Sequence, residues 1–180
     1  IHRINPLQLT EFSFGYPNDI GKFATKRNVM KDYKYRIADR ILKRKVLGKG
    51  AVLIEGPKWC GKTTTAKQLA KSILDLGDSA VLKQSSQLIE LSPKTLLEGE
   101  TPRLIDEWQA LPPIWDSIRS EVDNRAEPSQ FILTGSSVLP EANITIHSGT
   151  GRYAYIKMRP MSIYESGESN GKVSLADLFE

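Results

Sequence analysis

Cysteine is almost missing from this sequence of 180 residues, which contains Cys60 alone. One cysteine excludes an intramolecular disulfide, and its scarcity favours a reducing, cytoplasmic setting over secretion. Long apolar runs are missing as well: none comes near the ~18 residues that a membrane-spanning helix needs. The first residues also lack the basic-then-apolar order of a signal peptide. We therefore expect a cytoplasmic protein that makes no use of a membrane.

Histidine is scarce too, with two residues in the chain. His147 lies in a polar stretch without a cysteine or a second histidine nearby, which argues against a metal site built on these ligands. Charge, by contrast, is abundant and uneven. Residues 1–50 hold 12 Lys/Arg against 4 Asp/Glu, whereas residues 51–180 hold 13 against 17. The basic first part predicts either contact with nucleic acid or an acidic partner, or only a solvated helix face beside an anion site.

Residues 1–29 lack any sustained helical or strand period, because prolines and glycines such as Pro6 and Gly15 interrupt each candidate element. We leave this stretch as an unassigned N-terminal arm. A flexible arm, an inserted tag and sequence upstream of a start at Met30 would all have this composition. Residues 30–180 are enough for one full domain with its own core.

The strongest motif in the chain is the octapeptide GPKWCGKT at 56–63, which fits G-x-x-x-x-G-K-[ST], the pattern of a phosphate-binding P-loop. The apolar run at 51–54 predicts a buried strand before it, and apolar residues at helical spacing over 62–76 predict a helix after it. The loop then lies at a helix N-terminus, where free backbone N–H groups favour an anion. The residues expected around the phosphates of a nucleotide are Gly56, Pro57, Lys58, Trp59, Cys60, Gly61, Lys62, Thr63 and Thr64.

Four side chains have more specific predicted tasks. Lys62 is expected to reach the β- and γ-phosphates, and the Thr63 hydroxyl to bind Mg²⁺. Asp106 follows an apolar pair and has the character of a Walker B acid that holds Mg²⁺ through water; a loop acid is the plainer alternative. Glu107 comes next and can act as general base or position the attacking water. This pair of acids favours hydrolysis over transfer to a small-molecule acceptor.

Ser136 and Thr134 supply further candidates, because they lie at the end of the apolar stretch FILTGSS. Two residues apart in an extended chain, their hydroxyls face the same side. Either could contact the γ-phosphate or the attacking water. Ser136 is the first choice, since it lies beyond the carboxyl end of the strand, where ligands bind in open α/β sheets. An ordinary Ser/Thr turn is the alternative.

Apolar periodicity places strands and helices in alternation along the chain. The predicted strands are 51–54, 80–82, 104–105, 130–134 and 153–158. Besides the P-loop helix, the predicted helices are 35–47, 92–97, 112–125, 162–169 and 174–179. The first of these leads into the P-loop strand, which makes Tyr35 or Arg36 a candidate contact for the base. The alternation predicts an α/β fold, a mostly parallel five-stranded sheet of P-loop NTPase type flanked by helices.

Taken together, the motifs GPKWCGKT, RLIDEWQ, FILTGSS and the GTGR that precedes YIKMRPMSIYE resemble those of the prokaryotic AAA-type ATPases. The resemblance covers about residues 33–180. It implies ATP as the nucleotide, Mg²⁺ as the metal and an AAA-type core, without an identifiable lid. In that family a C-terminal domain usually follows the P-loop domain, so residues 30–180 are expected to be an ATPase domain truncated on its C-terminal side.

The resemblance also implies a role for Arg152. In GTGR it lies where AAA-type proteins place an arginine finger, which stabilises transition-state charge and, in a neighbouring chain, would require self-association or a protein partner. Pairing with a surface acid is the alternative. We predict Mg²⁺-dependent ATP binding and hydrolysis. The alternatives are a nucleotide-gated interaction module with little turnover and an ATPase that handles nucleic acid through the basic helix at 36–45.

Overall fold

The computed structural model of the chain describes residues 33–136 and 151–169. Five strands, six α-helices and one short 3₁₀ helix lie within these ranges. The strands are β1 Ala51–Glu55, β2 Ser72–Asp75, β3 Arg103–Asp106, β4 Phe131–Gly135 and β5 Tyr153–Lys157. The helices are α1 Ile37–Gly48, α2 Lys62–Lys67, α3 Ser79–Leu91, α4 Pro93–Leu97, α5 Ile114–Arg125 and α6 Ile163–Ser166. The 3₁₀ helix, Trp108–Ala110, follows β3.

All five strands are parallel and lie in the order β2-β3-β4-β1-β5. β1 pairs with β4 on one side and β5 on the other, so that Ala51 lies opposite both Phe131 and Tyr153. Because parallel strands end at the same edge of a sheet, the residues that follow β1, β3 and β4 come together there. The predicted α/β fold, a parallel five-stranded sheet flanked by helices, is confirmed.

Alternate residues of β1 face two separate cores. Ala51 and Leu53 belong to the core on the side of α3, α4 and α5, whereas Val52 and Ile54 face the side of α1 and α2. All four residues are buried. Burial on both faces accounts for the uninterrupted apolar run that precedes the P-loop, since neither face of a covered parallel sheet meets water.

An aromatic group fills part of the first of these cores. The Trp115 ring on α5 stacks on Tyr153 of β5, with ring centroids 4.1 Å apart and planes 7° from parallel, and it lies 4.9 Å from the Trp108 ring. The Tyr153 hydroxyl donates to the Trp115 carbonyl at 3.1 Å, so its buried polar tip has a partner. Trp115 therefore packs against both Trp108, which follows Glu107, and Tyr153, which follows Arg152.

The predicted helix over 62–76 is wrong beyond its first turns. α2 ends at Lys67, and Ser72–Asp75, with the apolar residues Ile73 and Leu74, form β2. The Lys71 N–H donates to the Pro102 carbonyl at 2.8 Å, and this bond begins the pairing with β3. Leu74 of β2 is buried. The apolar positions of this stretch suit a helix and a strand equally, so their spacing alone could not separate the two.

The predicted strand at 80–82 is also wrong, because these residues form the first turn of α3. Asp78 is the N-cap: its Oδ1 accepts the backbone N–H of Ala80 at 2.7 Å and of Val81 at 3.2 Å. An aspartate just before an apolar stretch is a typical helix-start signal, and here it decides against a three-residue strand. β2 takes the place of this segment in the sheet.

The other predicted elements within the described ranges are confirmed. Helices predicted at 35–47, 92–97, 112–125 and 162–169 correspond to α1, α4, α5 and α6, with ends shifted by a few residues. The helix predicted at 174–179 and the N-terminal arm at 1–29 lie outside the described residues. From Lys34 onward, the described residues belong to one compact unit.

Candidate functional site

The P-loop connects β1 to α2 at the carboxyl edge of the sheet. Gly56 begins it where the chain touches the segment after β5: a Cβ at this position would lie 2.3 Å from the Met158 carbonyl oxygen, closer than a side chain permits. Gly61 ends it as the N-cap of α2 with a φ of 94°, a conformation that favours glycine. The path of the loop therefore requires both glycines of the motif.

The other residues of the motif differ in exposure. Pro57, Lys58 and Trp59 form an exposed tip, in which the Lys58 Nζ lies 5.9 Å from the centre of the Trp59 ring. The Trp59 side chain is 93% exposed. Cys60 is buried beneath the loop, and Thr64 is half-buried on α2. The tip is thus open to solvent while the loop's base is packed against the protein.

Lys62 is buried at the start of α2. Its Nζ donates to the carbonyl oxygens of Gly56 at 3.1 Å and Pro57 at 3.0 Å. Among the described residues no carboxylate forms an ion pair with it. A buried ammonium whose partners are all neutral is costly, and an anion beside the loop would relieve that cost. The lysine therefore fits a phosphate site.

The carboxylate of Asp106, at the end of β3, receives hydrogen bonds from two threonines. The Thr63 hydroxyl donates to Asp106 Oδ1 at 2.9 Å, and the Thr134 hydroxyl donates to the same oxygen. Hydroxyl and carboxylate oxygens are ligands that Mg²⁺ prefers. The described residues contain no group of three or more His, Cys, Asp or Glu side chains that could hold a metal, so Mg²⁺ here would complete its shell with phosphate oxygens and water.

Glu107 follows Asp106 in a left-handed backbone conformation, with φ 53° and ψ 48°. For a residue other than glycine this conformation costs about 1–3 kcal/mol and is concentrated at functional sites. Its N–H donates to Thr134 Oγ1 at 3.2 Å, and its Oε2 accepts from Gln109 Nε2. The sharp turn separates the two acids: one carboxylate lies toward Thr63, the other toward the 3₁₀ helix.

Ser136 lies just beyond the carboxyl end of β4, as its predicted role requires. Its Oγ accepts from Gln109 Nε2 at 3.1 Å. Thr134, the alternative hydroxyl, is engaged with Asp106. The structure therefore brings together all the predicted residues of the carboxyl edge and adds Gln109, which the sequence analysis missed. A signal was present, since Gln109 is a polar residue within the motif RLIDEWQ.

Arg152 lies at the amino ends of the parallel strands, opposite the ends that carry the P-loop. It precedes β5, and its carbonyl accepts the N–H of Ala51 at 3.3 Å, at the beginning of β1. The P-loop follows the other end of this five-residue strand, about 16 Å away. The Arg152 Nε donates to both carboxylate oxygens of Asp123, at 2.6 and 2.8 Å. This hydrogen bond, more than the charge of Arg152, keeps the pKa of Asp123 below its ordinary value.

A family model described as an AAA domain matches residues 48–167. The chain belongs to this family. The predicted AAA-type family is therefore confirmed, and with it a place among nucleotide-binding, ATPase-type domains.

Two curated relatives are similar to this AAA domain. They are the uncharacterized protein Mb2031c of Mycobacterium bovis and the uncharacterized protein Rv2008c of Mycobacterium tuberculosis, each 27% identical over 120 residues. The match covers 66% of this chain and 27% of each relative. The chain thus spans about a quarter of the length of these relatives, and the activity of the whole protein is a matter for proposal.

Arg36 braces the P-loop of the AAA domain. Its buried guanidinium donates to the Cys60 carbonyl at 2.8 Å, to the Arg159 carbonyl at 2.9 Å and to Glu165 Oε1 at 3.1 Å. It therefore fastens the loop to the segment after β5. These contacts engage the Arg36 guanidinium with the protein itself. Of the two residues predicted to contact the base, Tyr35 is therefore the better candidate, since it is 66% exposed. Its contact with the base stays a prediction.

The Glu165 carboxylate receives four hydrogen bonds from the described residues, two of them from backbone N–H groups. Burial by itself raises its pKa, but the N–H groups of Ser162 and Ile37 donate to it at 2.9 and 2.8 Å. The Arg36 guanidinium and the Ser162 hydroxyl donate as well. These bonds outweigh burial and lower the pKa from 4.5 to about 2.

Replacing Glu165 by glutamine should destabilise the AAA domain by about 1.5–3 kcal/mol, the usual worth of hydrogen bonds to a charged group. Because the folded pKa is depressed, the contribution of Glu165 is complete above the unfolded pKa and is lost as pH falls from 4.5 toward 2. Urea unfolding at neutral and at acidic pH measures both effects, and the gap between wild type and variant should narrow in acid. Glu168→Gln, an exposed acid of the same segment, is the control; a Glu165→Gln variant as stable as wild type at neutral pH would contradict this account.

The solvent face of α1 carries the basic residues that the sequence analysis associated with nucleic acid. Arg40, Lys43 and Arg44 are exposed there. This arrangement agrees equally with a solvated helix face, and contact with nucleic acid stays a prediction. Among the described residues of the AAA domain, no helix is long and apolar enough to span a membrane.

Proposed function

We propose that this AAA domain binds ATP with Mg²⁺ and hydrolyses it to ADP and phosphate. The observation that carries the proposal is the hydrogen bond between Thr63 and Asp106, whose oxygens lie 2.9 Å apart, next in sequence to a buried Lys62 ammonium whose partners among the described residues are all carbonyl oxygens. A hydroxyl, a carboxylate and an uncompensated cation at the carboxyl edge of a parallel sheet are the groups that a metal-bound triphosphate needs.

Each residue has a defined task in this proposal. Lys62 exchanges its carbonyl acceptors for β- and γ-phosphate oxygens. Thr63 and Asp106 would hold Mg²⁺, which would neutralise charge on those oxygens. Glu107 takes a proton from the attacking water as the bond between the γ-phosphorus and the ADP oxygen breaks. The Ser136 hydroxyl donates to the γ-phosphate.

Replacing Lys62 by alanine tests the nucleotide site. Truncating one partner of a buried charge pair costs about 2–5 kcal/mol, so affinity for Mg·ATP should fall by roughly 30-fold to several-thousand-fold. Isothermal titration calorimetry gives the dissociation constants directly. Lys67→Ala removes an exposed lysine from the same helix and should bind like wild type. Unchanged affinity in Lys62→Ala would rule out the P-loop as the nucleotide site.

Phosphate release by the wild-type protein tests hydrolysis separately from binding. Phosphate release from ATP is expected with Mg²⁺ present and should stop when EDTA removes the metal. If ATP binds with Lys62-dependent affinity but no phosphate is released, the nucleotide-gated interaction module becomes the better description.

A further inference from the structure

Gln109 connects two residues that the proposed function uses for different purposes. It lies on the 3₁₀ helix, two residues after Glu107. Its side-chain nitrogen donates one hydrogen bond to Glu107 Oε2 and another, at 3.1 Å, to Ser136 Oγ. A single amide group therefore touches the proposed base and the proposed contact of the γ-phosphate.

The orientation of this amide is fixed by its surroundings. A carboxylate can only accept hydrogen bonds, so the nitrogen of Gln109, and not its oxygen, must face Glu107. The Gln109 Oε1 is buried and has no partner among the described residues. A Cβ at position 135 would lie 2.8 Å from this oxygen and 2.8 Å from the Trp108 indole nitrogen. Gly135 thus gives the amide the room that this orientation needs.

The donor directions make a continuous chain toward a phosphate. Ser136 Oγ uses a lone pair to accept from Gln109, and among the described residues its own O–H has no acceptor. That O–H can donate to a phosphate oxygen without giving up the bond from Gln109, because a hydroxyl accepts and donates at once. With Ser136 at the γ-phosphate, as in the proposed function, ATP would complete this chain and ADP would leave it open.

We propose that Gln109 is a positioning residue that makes the placement of Glu107 depend on the presence of a γ-phosphate, acting through Ser136. The inference rests on the proposed function and adds to it a means of distinguishing ATP from ADP. Two features of the loop suit such a device. Glu107 is held in a left-handed conformation, and the buried Gln109 oxygen lacks a partner among the described residues, which is unfavourable. Small changes at Ser136 therefore act on a loop that is under strain.

The variant Gln109→Met tests this, since methionine keeps the volume of the side chain and removes both N–H donors. With Glu107 misplaced, kcat for ATP should fall about 10²-fold, while KM should change by no more than about fivefold, because binding loses at most one net hydrogen bond. A second readout needs no turnover. The preference of the protein for Mg·ATPγS over Mg·ADP, measured by calorimetry, should fall about fivefold, the worth of one net hydrogen bond. Gln87→Met, at an exposed position of α3, is the control.

A double-mutant cycle with Ser136→Ala separates the chain from a merely structural role. If Gln109 acts through Ser136, adding Gln109→Met to Ser136→Ala should cost little more, because the chain is already cut. Additive losses would overturn the proposal, and so would wild-type kcat and nucleotide preference in Gln109→Met. Should Gln109→Met fold poorly, Gln109→Ala provides the same test with a smaller side chain. Wild-type protein that binds no ATP would instead refute the proposed function itself.

Discussion

The variant Glu107→Gln should lose nearly all ATP turnover while ATP stays bound. The amide is nearly isosteric with the carboxylate and can still hydrogen-bond a water, but it cannot accept a proton. Loss of a positioned general base costs about 10²–10⁴-fold in rate. In the proposed function, binding depends on Lys62, Thr63 and Asp106, which this variant leaves unchanged. Single-turnover phosphate release and calorimetry measure the two effects separately.

The retained nucleotide should also be visible in the stability of the Glu107→Gln variant. A ligand at 100 times its dissociation constant stabilises the folded state by about 2.7 kcal/mol, so melting temperature should rise as ATP is added. Glu98→Gln, an exposed acid, serves as control. Turnover of Glu107→Gln within about twofold of wild type, far short of the range for a lost base, would show that Glu107 is not the acid-base group.

If Arg152 is an arginine finger, Arg152→Ala should have an effect of similar size, and the finger would have to act on a second copy of the chain. Arg152 lies at the amino edge of the sheet beside the beginning of β1, about 16 Å from its own P-loop. A finger at this position can act only on a neighbour's phosphate. Arginine fingers are worth about 10³–10⁵-fold, so turnover should fall by about 10³-fold with ATP affinity unchanged.

Mixing two inactive variants gives the clearest readout of this arrangement. Arg152→Ala chains keep an intact P-loop, and Lys62→Ala chains keep the arginine, so a mixture should regain activity. Arg119→Ala, which removes a neighbouring arginine paired with Asp116 on the surface, should retain wild-type turnover. If Arg152→Ala alone turns over ATP like wild type, its bond to Asp123 is its whole role.

Much of the fold and the main groups of the site could be predicted from the sequence, because short contiguous patterns specify them. The loop at 56–63 determines its own path through its glycines, and Asp106 lies at the end of a strand that its apolar neighbours define. The predicted parallel sheet also implies the edge on which Arg152 lies, since a residue before a parallel strand is on the amino side. The roles of these residues stay predictions until the variants are measured.

The rest depends on contacts between distant segments. Gln109 meets Ser136 only because β3 and β4 are neighbours in the sheet. Arg36 and Glu165 are 129 positions apart in sequence, and no sequence pattern indicates that they pair. The predicted helix over 62–76 is wrong for the same reason. Ser72–Asp75 form a strand because they pair with β3, and apolar periodicity cannot show this pairing.

The hydrogen bonds around Arg36 and Glu165 affect how this unit can be joined to other proteins. Lys34 Nζ donates to the Ser166 carbonyl at 2.9 Å, and Ile37 and Arg36 both contact Glu165. Residues 34–37 and residues 165–166 therefore lie side by side. A protein fused or inserted at one of these segments would lie next to the other as well. Arg36 also holds the P-loop, so such a fusion would place the added protein close to the proposed nucleotide site.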